Sequence, residues 1–164
     1  MKARKLFFVM VSLLVIISLT TQAQKSNLTG EWKLNKDKTG QQNGQVFLSK
    51  IAISIKSDTL FTTRTYEDGN GQEYPFDENL SLTGKENKIV IYDMPRSAKA
   101  TWAKSDDAIS LDSSTTFNRD GQDVVMVAKE TWKVEVGNKS MTINTKFNLP
   151  SGEVSATSFF DRIK

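Results

Sequence analysis

The stretch from Ser49 to Tyr66, SKIAISIKSDTLFTTRTY, decides how the rest of the chain is read. Ile51, Ile53 and Ile55 recur at every second position, the period of a strand with one buried face, and Ser57-Asp58 separates this run from a second one, Thr59 to Tyr66. The two runs form a hairpin. A loop of two or four residues sets Ile55 opposite Leu60, Ile53 opposite Thr62, Ile51 opposite Arg64 and Ser49 opposite Tyr66, and residues directly opposed share a face. The isoleucine face is the interior, so Thr62, Arg64 and Tyr66 are expected to point inward.

The same pattern extends in both directions. Alternating runs lie near 30–35, 46–56, 59–66, 73–76, 80–83, 88–93, 97–104, 108–117, 124–136, 141–147 and 153–162, about ten strands, or eleven if the pair around 75 and 81 is counted separately. Breakers such as Asp68-Gly69-Asn70-Gly71, Asn118-Arg119-Asp120-Gly121 and Gly137-Asn138-Lys139 supply residues that tolerate positive φ or bond their own backbone. A meander of hairpins without crossover helices predicts an all-β protein, an antiparallel up-and-down sheet closed into a barrel of about 8–10 strands. A two-sheet sandwich is the alternative. The polar segment 36–45, with Gly40 and Gly44, reads as a loop over an open end.

The N-terminus is different in kind. Lys2, Arg4 and Lys5 precede an apolar run from Leu6 to Leu19, and Thr21-Gln22-Ala23 ends on small residues, so residues 1–23 read as a signal peptide removed before Gln24. The expected product is one exported domain, residues 24–164, periplasmic or extracellular. Its apolar run is shorter than the roughly 20 residues a membrane helix needs, so no membrane span is expected in the mature form.

Losing three of the 22 basic residues leaves 19, equal to the 19 acidic ones, and a neutral chain gives no reason to expect a nucleic-acid partner. The chain has neither Cys nor His, which excludes disulfides, thiol nucleophiles, and thiolate or imidazole metal ligands. No metal and no cofactor is expected.

Gly30-Glu31-Trp32, at the start of the first run, resembles the G-x-W signature of the lipocalins and the wider calycin group. Ala100-Thr101-Trp102, Glu130-Thr131-Trp132-Lys133-Val134, Gly137 to Ile143 and Pro150 to Glu153 resemble the strand-and-turn pattern of small exported bacterial lipocalin-like proteins, a family of mostly unassigned function. The resemblance spans essentially the whole mature chain. It implies a lipocalin-like barrel in which Trp32, preceded by Gly30, plugs the closed end and Arg162 near the last strand's end lies across the indole. A departure from secreted lipocalins is the lack of any disulfide and of an evident C-terminal helix.

Strand parity adds further inward groups. On 124–136, Trp132, Val134 and Val136 mark the core face, and steps of two bring Glu130, Ala128, Met126 and Val124 onto it. On 108–117 the same face carries Ile109, Leu111, Ser113, Thr115 and Phe117. Apolar walls with a few convergent polar groups are the composition of a ligand cavity, and Arg64, Tyr66, Glu130, Thr62 and Thr115 are its candidate binding residues. Arg64 with Tyr66 would hold a carboxylate. Equally, Arg64 and Glu130 would satisfy one another without a ligand, or a register shift would turn them to solvent.

The expected function is binding of a small hydrophobic or amphipathic, in one version acidic, molecule inside the barrel. The alternative is a filled barrel whose loops 67–79 and 117–124 contact an envelope protein partner. An enzyme is not expected, and Glu130 is the only carboxylate placed to serve one. The acidic loop Glu67 to Glu73 lacks Gly and Glu at the positions a calcium loop requires, and Asp106-Asp107 and Asp120 with Asp123 lie in turns, so none is assigned a site.

Overall fold

A computed structural model of the chain describes residues 27–40, 46–103, 107–149 and 152–164. The signal peptide expected at 1–23, Asp106 and the second half of the polar segment, 41–45, lie outside the described residues.

Among the described residues, ten strands form one antiparallel sheet. They are β1 (Gly30–Leu34), β2 (Phe47–Lys56), β3 (Thr59–Glu67), β4 (Glu73–Ser81), β5 (Asn87–Ile91), β6 (Met94–Trp102), β7 (Ala108–Arg119), β8 (Gln122–Val134), β9 (Ser140–Leu149) and β10 (Gly152–Arg162). The order β4-β3-β2-β1-β10-β9-β8-β7-β6-β5 is a meander whose first and last strands meet through β1 and β10, curling the sheet into a nearly closed barrel. The seam lies between β4 and β5. The isolated bridge Thr83↔Thr101 joins the chain just after β4 to β6, and no ladder among the described residues joins β4 to β5.

The hairpin of β2 and β3 has the expected register at Ile55↔Leu60, Ile53↔Thr62 and Ile51↔Arg64. Beyond that the ladder shifts, and Leu48 rather than Ser49 opposes Tyr66. A β-bulge inserts Ser49, whose hydroxyl donates to the Thr65 carbonyl at 3.1 Å. The runs expected at 73–76 and 80–83 are one continuous strand, β4. The breaks are also redistributed: Tyr92 and Asp93, both at positive φ, make a two-residue turn inside what reads as the run 88–93, so β6 starts at Met94. Strand β8 stops at Val134, which leaves Val136 fully exposed rather than on the core face.

The segment expected as a loop begins with one helical turn, α1 (Lys36–Thr39). Asn35 caps it, its side-chain oxygen accepting from the Lys38 amide at 2.9 Å. The Thr39 hydroxyl accepts from the Phe159 amide at 2.9 Å, tying the turn to β10.

Inward residues at one end of the barrel form the core. Trp32, Ile51, Leu60, Leu80, Ile109 and Phe160 are all buried there with Leu111, Trp132, Met141 and Ile143. Burying a large aliphatic or aromatic side chain stabilises by about 1.5–3 kcal/mol, so this half holds the fold together. No helix among the described residues is long and apolar enough to cross a membrane.

Candidate functional site

At the closed end, Trp32 is fully buried on β1 opposite Arg162 of β10, and its indole N–H donates to the Leu28 carbonyl at 2.9 Å. The Arg162 guanidinium carbon lies 4.4 Å from the ring centroid, a cation–π contact, and its Nη1 donates to the Thr29 carbonyl at 2.8 Å. Gly30 makes room for this arrangement. A Cβ there would lie 2.6 Å from the Lys164 carbonyl oxygen, and its φ of +147° is one that side chains resist.

Above the apolar half sits a layer of four charged groups. Arg64 on β3 reaches across the interior to Glu130 on β8, with Nη1 to Oε1 at 3.0 Å and Nη2 to Oε2 at 3.2 Å. Its guanidinium carbon lies 4.8 Å from the Trp132 ring centroid, and the indole N–H of Trp132 donates to Glu130 Oε2 at 2.6 Å. Arg64 Nε has no hydrogen-bond partner among the described residues, so the indole face is the neighbour that offsets part of its desolvation. Burial works to raise the Glu130 pKa, but the charge of Arg64 and the hydrogen bonds from Arg64 and Trp132 outweigh it and hold the carboxyl below the usual carboxylate range. Burial likewise works against the Arg64 cation, but the Glu130 carboxylate together with the nearby Tyr66 and Glu78 outweighs it, so Arg64 stays protonated. The pair is ionised on both sides.

The second pair bridges the seam. Arg96 on β6 donates from Nε and Nη2 to the two carboxylate oxygens of Glu78 on β4, at 2.8 and 3.2 Å, and from Nη1 to the Thr115 hydroxyl at 3.3 Å. Glu78 is 2% exposed and Arg96 is 9% exposed, so this pair replaces, in the interior, the ladder that β4 and β5 lack. Neither residue stands out in the sequence. Asp77-Glu78-Asn79 reads as a polar break between two short runs, and Arg96 falls in the gap between 88–93 and 97–104. Reading β4 as one strand would have exposed the signal, because Tyr74, Phe76, Glu78 and Leu80 then alternate on the inner face.

Of the charged layer, Arg96 lines a cavity of about 530 Å³ at the other end of the barrel. Tyr66, Tyr74, Phe76, Tyr92 and Phe117 supply aromatic walls, and Val46, Ile91, Met94 and Met126 supply aliphatic ones. Arg96 and Thr115 add polar groups, beside the hydroxyls of the three tyrosines. Tyr66 and Phe76 stack with centroids 6.0 Å apart, whereas Tyr74 and Tyr92 meet edge to face at 6.2 Å across the seam. The Tyr92 hydroxyl donates to the Pro75 carbonyl at 2.5 Å, which fastens the rim at that point.

The residues singled out from sequence therefore separate. Tyr66 and Thr115 stand in the cavity wall; Arg64 and Glu130 engage each other beneath it; Thr62, buried on β3, donates to the Glu78 carbonyl at 3.2 Å. The cation that reaches the cavity is Arg96, not Arg64. Comparisons of the chain with family models, with curated proteins and with solved structures find no match.

Proposed function

We propose that this chain is an exported lipocalin-like protein that carries or senses a small hydrophobic or amphipathic molecule in the open end of its barrel. The observation that carries the reading is the cavity of about 530 Å³, lined mostly by aromatic and aliphatic side chains, with one arginine, one threonine and the tyrosine hydroxyls as its polar groups. Sites for small molecules have volumes of about 300–1,000 Å³ and the same mixture of apolar wall and few polar groups. A barrel that served only as a scaffold would gain stability by filling that volume, as the other half does. The basic start and apolar run of residues 2–19 support export.

Native mass spectrometry of the protein purified from its own host tests the reading. A stoichiometric small molecule released on denaturation is the expected result, and Met126→Trp, which adds an indole within the cavity, is expected to abolish its retention. A clean mass that stays clean after incubation with apolar probes would overturn the carrier reading in favour of a protein that works through its surface.

A further inference from the structure

Resting on that reading, we infer that the cavity selects an uncharged ligand bearing a hydrogen-bond acceptor, and discriminates against anions despite the arginine in its wall. Each cation of the charged layer already has its own carboxylate. Arg96 is matched by Glu78 and Arg64 by Glu130, so the layer carries two positive and two negative charges and sums to zero. An anionic head placed at Arg96 would bring an uncompensated charge out of water, beside the Glu78 carboxylate, and the cost of burying a charge without a partner is large. To recruit Arg96 fully, the anion would have to displace Glu78, which is 2% exposed and would be left unpaired.

A neutral acceptor meets no such penalty. Of the five guanidinium N–H groups of Arg96, three are used, two toward Glu78 and one toward Thr115. One N–H on each Nη nitrogen remains for a carbonyl, ether or hydroxyl oxygen of the ligand. The Tyr74 and Tyr92 hydroxyls already donate to Asp68 and to the Pro75 carbonyl, and apart from the tyrosine hydroxyls and Thr115 the rest of the lining offers apolar surface, with Tyr66, Phe76 and Phe117 placed to pack against a chain or ring. The ligand class is therefore an apolar alcohol, ester, ketone or amide, rather than a free fatty acid or other organic anion.

Two matched probe pairs decide the matter by fluorescence titration of the mature protein at neutral pH. N-phenylnaphthylamine and anilinonaphthalene sulfonate share a ring system and differ in charge, and lauryl alcohol and laurate serve as competing displacers. The neutral member of each pair is expected to bind at least tenfold more tightly, and Met126→Trp to abolish binding of the neutral dye. Glu78→Gln, which leaves Arg96 without its counter-charge, is expected to shift the preference toward the anion by tenfold or more. Equal or tighter binding of the anions to the wild-type protein would overturn the inference while leaving the carrier reading intact. Binding of no probe would overturn both. The wild-type comparison is decisive by itself if Glu78→Gln fails to fold.

Discussion

The two halves of the barrel are built from the same strands by the same alternation, yet one is a core and the other a cavity. On β7, Ile109 and Leu111 are fully buried in the closed half, whereas Thr115 and Phe117, a few residues further along the same face, line open space. On β3, Leu60 belongs to the core and Tyr66 to the cavity wall, with Arg64 between them. What separates the halves is the layer of two ion pairs. Paired carboxylates and guanidinium groups are bulky and need one another's hydrogen bonds, so they span the interior and end the apolar packing at a fixed height. A layer of this kind confines the packed core to one end and leaves the other end lined but unfilled.

That contrast predicts a steep gradient of mutational cost. Trp32→Ala, at the closed end, is expected to destabilise by about 3–5 kcal/mol in chemical denaturation, the range for removing a buried aromatic ring from a packed site. At the boundary, Glu130→Gln is expected to cost about 3 kcal/mol at neutral pH, because it leaves Arg64 buried without a counter-charge. Its pH dependence has a definite sign. The folded-state pKa of Glu130 lies below the ordinary carboxylate value, so the stabilisation is present above that value and is lost as pH falls through the folded pKa. The difference between wild type and Glu130→Gln should therefore shrink in acid, and a difference constant from neutral pH downward would mean that the pair is not ionised.

In the open half, Phe117→Ala is expected to cost less than about 1.5 kcal/mol, since the ring already borders unfilled volume, while weakening binding of a neutral dye severalfold. A loss as large as that for Trp32→Ala would show that the upper half is core as well, and would erase the distinction. The smallest effect is expected outside the barrel. Lys146→Ala breaks an exposed ion pair with Glu153 at 3.2 Å and should change stability by less than about 1 kcal/mol.

Much of this was legible in the sequence wherever a strand face could be followed by steps of two. The isoleucines of β2 gave the interior face, and the turn at Ser57-Asp58 carried it to Arg64; parity from Trp132 carried it to Glu130. The register failed at Ser49, because a bulge is one extra residue that alternation does not announce. Arg96 and Glu78 were missed for a related reason, since Tyr92-Asp93 turns the chain without glycine, and three polar residues at 77–79 disguise one continuous strand as two.

Local patterning determined by itself that the chain is a meander of antiparallel strands and, where a strand face could be followed, that Arg64 and Glu130 point inward, because a strand's two faces differ at every second residue. Only the tertiary structure decided what those inward charges meet. Arg64 and Glu130 are 66 residues apart in sequence, and Arg96 and Glu78 lie on strands that the seam leaves unladdered, so their pairing is fixed by the closure of the barrel. The cavity has the same origin. No residue encodes a void; it is the space left when the strands close around a layer of charges that the apolar core does not cross.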